Sequence, residues 1–272
     1  MALTQVATGT VPATTGTGTG STSVSPDLPA GYQYGDILVM FVGTKPDTAT
    51  INTPTDWTAP TNGTVSGGTG SQGADTGPVK LAVFYRIVDV QGSISAPTVS
   101  ITNGNASWAW IICWRSTIYQ MPDVWDVAAA NDTDTSAGTS WSVTTATNPG
   151  FEAEDWLMMA NCVPTDASHP ANWSGFGFSA TGATFANGAE VGEPYTSTGN
   201  DLGGVVFRAR CSAGPATAAP TGTATSVASV SGASIVFRMR ELDPSSEAPH
   251  VAVSATTNSP SSKITVRPAV IG

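Results

Sequence analysis

The sequence predicts an all-β protein, a jelly-roll-like β-sandwich built from two related halves that share one core. Three observations lead to this prediction: apolar runs of strand length, an internal repeat of those runs, and a composition rich in turn residues. Charged residues make up only 11% of the chain, which contains 29 glycines and 19 prolines. Such a composition disfavours helices and supplies the turns that many short strands need.

The clearest strand prediction is the apolar run from Ile37 to Val42, which follows the turn signal Gly35-Asp36. Its length suits a strand and is too short for a helix or a membrane span. All six residues are apolar, so neither face of this strand can lie in water. We therefore expect a strand that is buried on both faces.

The same pattern returns in the second half of the chain, where Asp155 opens another apolar run. Three further landmarks follow in the same order in both halves: a Pro-x-x-Trp motif, an apolar strand that ends in arginine, and a second such strand. The paired landmarks are Trp57 with Trp173, Arg86 with Arg210, and Arg115 with Arg240. This order indicates duplication of a half-domain, because solenoid repeats are much shorter.

The repeat and the changes in composition divide the chain into segments. Residues 1–26 are rich in Thr, Gly and Ser, and their few aliphatic anchors favour an edge strand with a loose loop or an arm on a neighbour. Residues 243–272 are punctuated by proline and have no large aromatic side chain, so we expect an extended C-terminal arm. The sandwich is expected at 27–242, with half one at 27–118, a linker at 119–148 and half two at 149–242.

Three loops have compositions that could serve a function. Residues 61–78 are rich in glycine but lack the Lys-Ser/Thr and helix of a phosphate cradle, so we expect a flexible, exposed connection. Residues 116–148 hold four aspartates but lack the regular spacing of a calcium loop. We expect a solvated loop there, with one short helical turn at 125–130. A long loop is expected at 174–203, where the aromatics either anchor the loop or contact a partner or glycan. The aspartates are Asp123, Asp126, Asp132 and Asp134, and the aromatics are Phe176, Phe178, Phe185 and Tyr195.

Residues that could support catalysis are few. The chain has two histidines, His169 and His250, so few residues could serve as the base of a Ser-His-Asp triad. Glu152, Glu154 and Asp155 cluster at a strand entry, and a carboxylate pair can cleave glycosides, but no second feature supports that chemistry. The strand-ending arginines are expected to cover the sheet edge or to pair with the strand-opening aspartate of their own half. We predict no enzymatic activity, no catalytic residues, no cofactor and no metal site.

The net charge indicates which binding partners are unfavourable, and the cysteine content indicates the redox state of the compartment. The net charge of −10 would repel nucleic acid and anionic membranes. Cys113, Cys162 and Cys211 lack paired spacing and each lies in or beside an apolar strand, which favours buried free thiols in a reducing compartment. The first residues lack the pattern of a signal peptide. We therefore expect synthesis in a cytoplasm without a signal peptide.

Five features follow one another along the chain: Pro-x-Gly, Gly-Asp before an apolar strand, Pro-x-x-Trp, an apolar strand ending in Arg, and Asp-Val-Ala-Ala-Ala at 126–130. This ordered set resembles structural proteins of tailed-bacteriophage virions. The resemblance covers roughly residues 27–242, and the second copy departs from it where Glu154 replaces the glycine before Asp155. It implies a two-half jelly-roll-like sandwich of the capsid-decoration or tail-fibre type, located in the virion. It carries no catalytic residues.

Three functions follow as hypotheses. The first is a non-enzymatic virion protein that decorates or cements the capsid surface through contacts with other virion proteins and with copies of itself. The second is a tail-fibre or tail-tip module that binds host surface glycans. The third is a cell-surface adhesin or carbohydrate-active enzyme. Under the first, the C-terminal arm would contact partners through its alternating aliphatic residues, which are Val251, Val253, Ile264 and Val266.

Overall fold

In the computed structural model, the chain forms two seven-stranded antiparallel sheets that pack face to face. The structure describes residues 3–9, 13–68, 71–72, 75–119, 121–164, 173–186, 188–196 and 201–242. Residues up to Leu242 belong to one compact unit, and the remaining unit, 243–272, lies outside the described residues. The predicted all-β, jelly-roll-like sandwich of two related halves is confirmed.

The first half of the chain supplies nine strands. They are β1 (Leu3–Thr8), β2 (Ala13–Val24), β3 (Ile37–Lys45), β4 (Thr50–Ile51), β5 (Thr64–Gly67), β6 (Ser71–Gln72), β7 (Asp75–Thr76), β8 (Val79–Ile87) and β9 (Val99–Ser116). Strands β6 and β7 form a separate hairpin, and the other seven form the first sheet in the order β1-β9-β3-β8-β5, with β2 and β4 also paired to β9.

The second half supplies seven strands. They are β10 (Trp125–Thr144), β11 (Trp156–Val163), β12 (Trp173–Ser179), β13 (Thr184–Phe185), β14 (Ala189–Gly192), β15 (Gly203–Ala213) and β16 (Thr221–Glu241). Their order is β10-β16-β11-β15-β13, with β12 paired to β16 and β14 to β15. The helical content of the described residues is one 3-10 turn at Pro122–Val124.

The two sheets have the same strand order, which gives the internal repeat a structural basis. Strand β10 pairs with β16 along its length, with two shifts of register. In the first sheet, β1 and β2 together pair with the equivalent strand β9. Each half therefore contributes one whole sheet. Within residues 3–8 and 13–24, β1 and β2 both pair with β9 of sheet one.

Two predicted loops are wrong in the same way. The segment expected as a solvated linker contains the 20-residue strand β10, and the helical turn expected at 125–130 is part of that strand. The segment expected as a long loop at 174–203 contains β13, β14 and most of β12. Both segments are rich in Ser, Thr, Asp and Gly, but Trp141 and Val143 in β10 and the phenylalanines of β12 and β13 pack on the outer face of sheet two.

Strand β3 is buried at every position, as predicted. Its odd-numbered residues, Ile37 to Phe41, face a core that also contains Met158, Ala160 and Phe237 from the second half. Its even-numbered residues, Leu38 to Val42, face a second cluster beneath the loops of its own half. The alternation follows from the two-residue period of a strand. The two halves thus share the central core and each covers its own outer face.

Trp57 and Trp173 occupy corresponding places outside the two sheets. Trp57 is 6% exposed and packs in the outer cluster of sheet one, as expected for an aromatic beneath a loop. Trp173 packs against the outer cluster of sheet two and meets Trp141 edge to face, with ring centroids 5.7 Å apart. The repeated Pro-x-x-Trp motif therefore covers the same part of each half.

The glycine-rich loop differs from its prediction. It connects two paired strands, β5 and β8, as expected, but Gly68 and Asp75 are buried and not exposed. A Cβ at Gly68 would overlap the Cα of Gly232, so the glycine is needed for the close approach of this loop to β16. The loop is part of the contact between the halves.

The three cysteines are free and buried, as predicted. Burial raises the pKa of the Cys113 thiol, to which the neighbouring Asp36 carboxylate adds, and burial likewise raises the pKa of Cys162. Both thiols remain protonated in the folded protein at a pH where an unfolded chain ionises them. This difference links the stability of the fold to pH.

We expect the free energy of unfolding to fall as pH rises above about 8.5, the ordinary thiol pKa. Above that pH the unfolded state releases thiol protons that the folded state keeps, so each raised thiol contributes a loss of up to about 1.4 kcal/mol per pH unit. Urea denaturation at several pH values between 8 and 10 measures the slope. Cys162→Ala should make the slope shallower, and an unchanged slope would contradict the assignment.

Candidate functional site

Each half opens its first central strand with a tight turn that is held by an aspartate. The Asp36 carboxylate Oδ2 accepts a hydrogen bond from the Gln33 amide at 2.7 Å, and the Asp36 amide donates to the Gln33 carbonyl at 3.1 Å. Gly35 has a φ of 86°, a left-handed conformation that glycine adopts without strain. The turn places a carboxylate that is only 1% exposed at the start of β3.

Arg115, at the end of β9, holds this carboxylate from the neighbouring strand. Its Nε donates to Asp36 Oδ1 at 2.8 Å and its Nη2 donates to Oδ2 at 2.8 Å, which makes the pair bidentate. Nη2 also donates to the Gly31 carbonyl at 2.8 Å. The hydrogen bond with Asp36 raises the pKa of Arg115. We call this arrangement the first clamp.

The second half repeats the arrangement, and we call it the second clamp. Arg240 Nε donates to Asp155 Oδ1 at 2.9 Å, and its Nη2 donates to Asp155 Oδ2 at 2.8 Å and to the Gly150 carbonyl at 2.9 Å. The Glu152 amide donates to Asp155 Oδ2 at 2.9 Å, as the Gln33 amide does in the first clamp. Of the two alternatives predicted for the strand-ending arginines, pairing with the aspartate of their own half is confirmed for Arg115 and Arg240.

The other two strand-ending arginines pair elsewhere. Arg86 lies 3.5 Å from the exposed carboxylate of Asp56, and Arg210 forms an ion pair with Glu154. Glu154 has a φ of 81°, so it keeps the left-handed turn in which the first clamp uses Gly35. The replacement of the glycine by Glu154 in the second half thus leaves the turn intact. It adds a carboxylate at the cost of local backbone strain.

The carboxylates considered for glycoside cleavage are engaged by arginine. Glu152 lies 3.1 Å from Arg240, Glu154 pairs with Arg210, and Asp155 is held in the second clamp. The aspartates of the predicted linker are also placed: Asp126 pairs with Arg238 at 3.0 Å, and Asp132 and Asp134 accept bonds from nearby backbone amides. Among the described residues, no three His, Cys, Asp or Glu side chains converge as a metal site.

A buried polar cluster joins the two halves. Lys45 is 2% exposed, and its Nζ donates to the Asp201 carbonyl at 2.8 Å, while the Asp201 amide donates to Asp75 Oδ1 at 2.6 Å. Burial lowers the pKa of Lys45, and the charge of Asp75 opposes that shift. No sequence pattern predicts this cluster, because its members are far apart in the chain and belong to no motif.

A polar cleft of about 670 Å³ lies where the two halves meet at one edge of the sandwich. It is lined by residues 58–62 and Tyr85 of half one and by residues 127–129 and 147–150 that lead into half two. Asn62 Nδ2 donates to Thr147 Oγ1 across the cleft at 3.5 Å. Tyr85 offers an aromatic surface, and the asparagine and threonine side chains offer hydrogen bonds.

The aromatics of residues 174–203 are divided between packing and exposure. Phe176 stacks on Phe207 with ring centroids 5.1 Å apart, and Phe178 and Phe185 contact each other 5.9 Å apart. Tyr195 is 39% exposed. The three phenylalanines are therefore packing anchors, and Tyr195 lies at the surface.

Several residues named from the sequence lie outside the described part of the chain. They are His169, His250, Val251, Val253, Ile264 and Val266. Within the described part, no helix has the length and apolar character needed to cross a membrane.

The clamps should be important for stability in both halves. Asp36→Asn and Asp155→Asn should each lower the free energy of unfolding by about 2–4 kcal/mol, because each leaves a partly buried guanidinium without its carboxylate. Denaturant unfolding measures the change. Asp56→Asn is the matched control, since its exposed pair with Arg86 should contribute less than about 1 kcal/mol. Equal losses in all three variants would contradict a special role for the clamps.

The turn of the second clamp offers a stabilising substitution. Glu154→Gly should raise the free energy of unfolding by roughly 0.5–1 kcal/mol, because relief of the left-handed strain outweighs loss of the half-exposed pair with Arg210. Gly35→Ala, at the matching position of the first clamp, should lower it by about 1 kcal/mol. Thermal and denaturant unfolding of both variants checks this, and a destabilised Glu154→Gly protein would contradict it.

No protein-family model matches the chain, and neither a curated protein nor a solved structure matches it. The resemblance to virion structural proteins therefore depends on the sequence motifs alone. The structure establishes the doubled sandwich and its two clamps, and function has to be argued from them.

Proposed function

We propose that the protein is a non-enzymatic structural component of a tailed-bacteriophage particle, which decorates or cements the capsid surface through contacts with other virion proteins and with copies of itself. The observation that carries the proposal is the edge of each sheet. In the part of the chain that the structure describes, strands β2 and β10 are 12 and 20 residues long and pair with one neighbouring strand each, β9 and β16. Long outer strands are templates on which another chain can add a strand.

The interior of the sandwich supports the same function. A decoration protein has to keep its shape while it is held by several neighbours, and here both faces of each sheet are covered within one chain. The clamps fix the start of β3 and β11, and the Lys45 cluster fixes one half against the other. The edges are then the surfaces where association adds backbone hydrogen bonds without disturbing the core.

The polar cleft favours one alternative, a tail-fibre or tail-tip module that binds host glycans. Sugars bind proteins through aromatic surfaces and converging polar side chains, and the cleft offers Tyr85 with Asn62, Thr61 and Thr147. Its volume of about 670 Å³ lies within the range of small-molecule sites. A glycan array with the purified protein, with Tyr85→Ala as control, tests this alternative.

Labelling of purified particles with an antibody against the protein tests the proposal directly. Label on the head supports decoration of the capsid. Label on the tail supports the glycan-binding alternative, and intact particles without label overturn both.

The C-terminal segment should act on neighbours and contribute little to the fold. Deletion of residues 246–272 should leave the melting temperature of the isolated protein nearly unchanged and weaken its self-association or its retention on particles. Four aliphatic side chains at about 1.5–3 kcal/mol each cannot offset the ordering of this segment at roughly 1–2 kcal/mol per residue. Calorimetry and analytical ultracentrifugation measure the two effects. A monomer that melts several degrees lower would show that the segment packs on its own domain.

A further inference from the structure

The Lys45 cluster, which consists of Lys45, Asp75 and Asp201, places a primary amine next to two carboxyl groups in the interior. The three residues are 2%, 2% and 3% exposed. They come from the end of β3, from the hairpin of β6 and β7, and from the segment before β15. Their chain neighbours Thr44 and Leu202 are fully buried. Side chains of opposite charge are therefore held together where water does not solvate them.

The backbone of Asp201 sets the positions of the other two side chains. Its carbonyl accepts a hydrogen bond from Lys45 Nζ at 2.8 Å, and its amide donates to Asp75 Oδ1 at 2.6 Å. The Asp201 carboxylate accepts from Thr196 Oγ1 at 3.2 Å. The amine and the Asp75 carboxyl are thus bonded to the same residue. Of the neighbouring charges, that of Asp75 has the largest effect on the pKa of Lys45.

Burial changes the chemistry that this pair can perform. It lowers the pKa of Lys45, while the charges of Asp75, Cys162 and Asp201 act in the opposite direction. A buried ammonium and a buried carboxylate are less costly after a proton passes between them, because both groups become neutral. A desolvated lysine amine is a nucleophile toward carbonyl carbon. The Asp201 amide is placed to polarise the carboxyl group of Asp75.

We propose that Lys45 and Asp75 condense in the folded protein to form an isopeptide bond. Lys45 Nζ attacks Asp75 Cγ, and a C–N bond forms. The proton released by the nitrogen passes to the Asp201 carboxylate and then to the leaving hydroxyl, and the C–O bond breaks with release of one water molecule. An amine and a carboxylic acid become an amide and water, so no oxidant, reductant or cofactor is needed. Well-oriented neighbouring groups reach effective concentrations of about 10⁵–10⁸ M, which favours this reaction.

The bond has a structural consequence for the glycine-rich loop. It closes a covalent ring of residues 45–75, which includes Gly68 at its contact with Gly232 of the other half. The hairpin of β6 and β7 has strands of only two residues each and pairs with no other described strand. Such a hairpin is marginally stable alone. The isopeptide bond ties it to β3 and so fixes the loop against the second half.

Peptide mapping of the wild-type full chain tests the proposal. A protease that cleaves on the amino side of aspartate separates Lys45 from Asp75 at Asp47 and Asp56. We expect the two peptides to stay joined after denaturation, with a combined mass lower by one water molecule. Separate peptides at their sequence masses overturn the proposal. A bond from Lys45 to Asp201 overturns the assignment of Asp75 as the acceptor.

Three variants identify the groups that react. Lys45→Arg keeps the positive charge but has no amine that can condense, so the joined peptide should be absent. Asp201→Asn keeps the backbone hydrogen bonds but cannot carry the proton, so the joined fraction at a fixed time after cell-free synthesis should fall at least about tenfold. Lys80→Arg is the matched control, because Lys80 also donates to a backbone carbonyl, that of Ala49, and should leave the bond unchanged.

Circular dichroism shows whether each variant folds. If Lys45→Arg does not fold, the wild-type peptide map still decides the question, because it needs no variant. An unchanged joined fraction in Asp201→Asn overturns the role of that carboxylate as proton carrier. Loss of the joined peptide in a folded Lys80→Arg protein overturns the assignment of the amine to Lys45.

Discussion

Both sheets of this protein are apolar on both faces, and the rest of the structure follows from that constraint. A sheet of this kind needs a cover on each side. The inner faces cover one another, so that Phe41 and Met158, from different halves, share one core. The outer faces are covered by segments of their own half, including Trp57 on one side and Phe151 on the other. The segments outside the two sheets therefore have a structural role, because they cover apolar outer faces.

The two clamps show how the duplicated halves have diverged. The geometry around Asp36 and Asp155 agrees to within about 0.2 Å in its equivalent hydrogen bonds, including those to the Gly31 and Gly150 carbonyls. The surroundings differ, since Glu152 and Glu154 stand where the first half has Gln33 and Gly35, and only the first clamp is contacted by the Trp125 indole. Comparison of the two clamps thus identifies the residues that the fold needs, which are the same in both halves. It also identifies positions where the fold accepts different residues.

The sequence predicted the parts of the fold that depend on local pattern. The apolar run after Asp36 could only be a doubly buried strand, and the ordered landmarks located the repeat and its arginine partners. Strand β10 was missed because its residues 131–140 contain mostly Asp, Ser and Thr and show no apolar alternation. Its pairing comes from β16, which no local pattern reveals. The Lys45 cluster was missed for the same reason, since it is assembled from distant segments.

Leu3 and Glu241 lie in the wall of one cavity, although β1 and β16 belong to different sheets. The first described strand begins and the last described strand ends at the same pole of the sandwich. The two ends of the described sandwich are therefore neighbours in space, although they are far apart in the sequence.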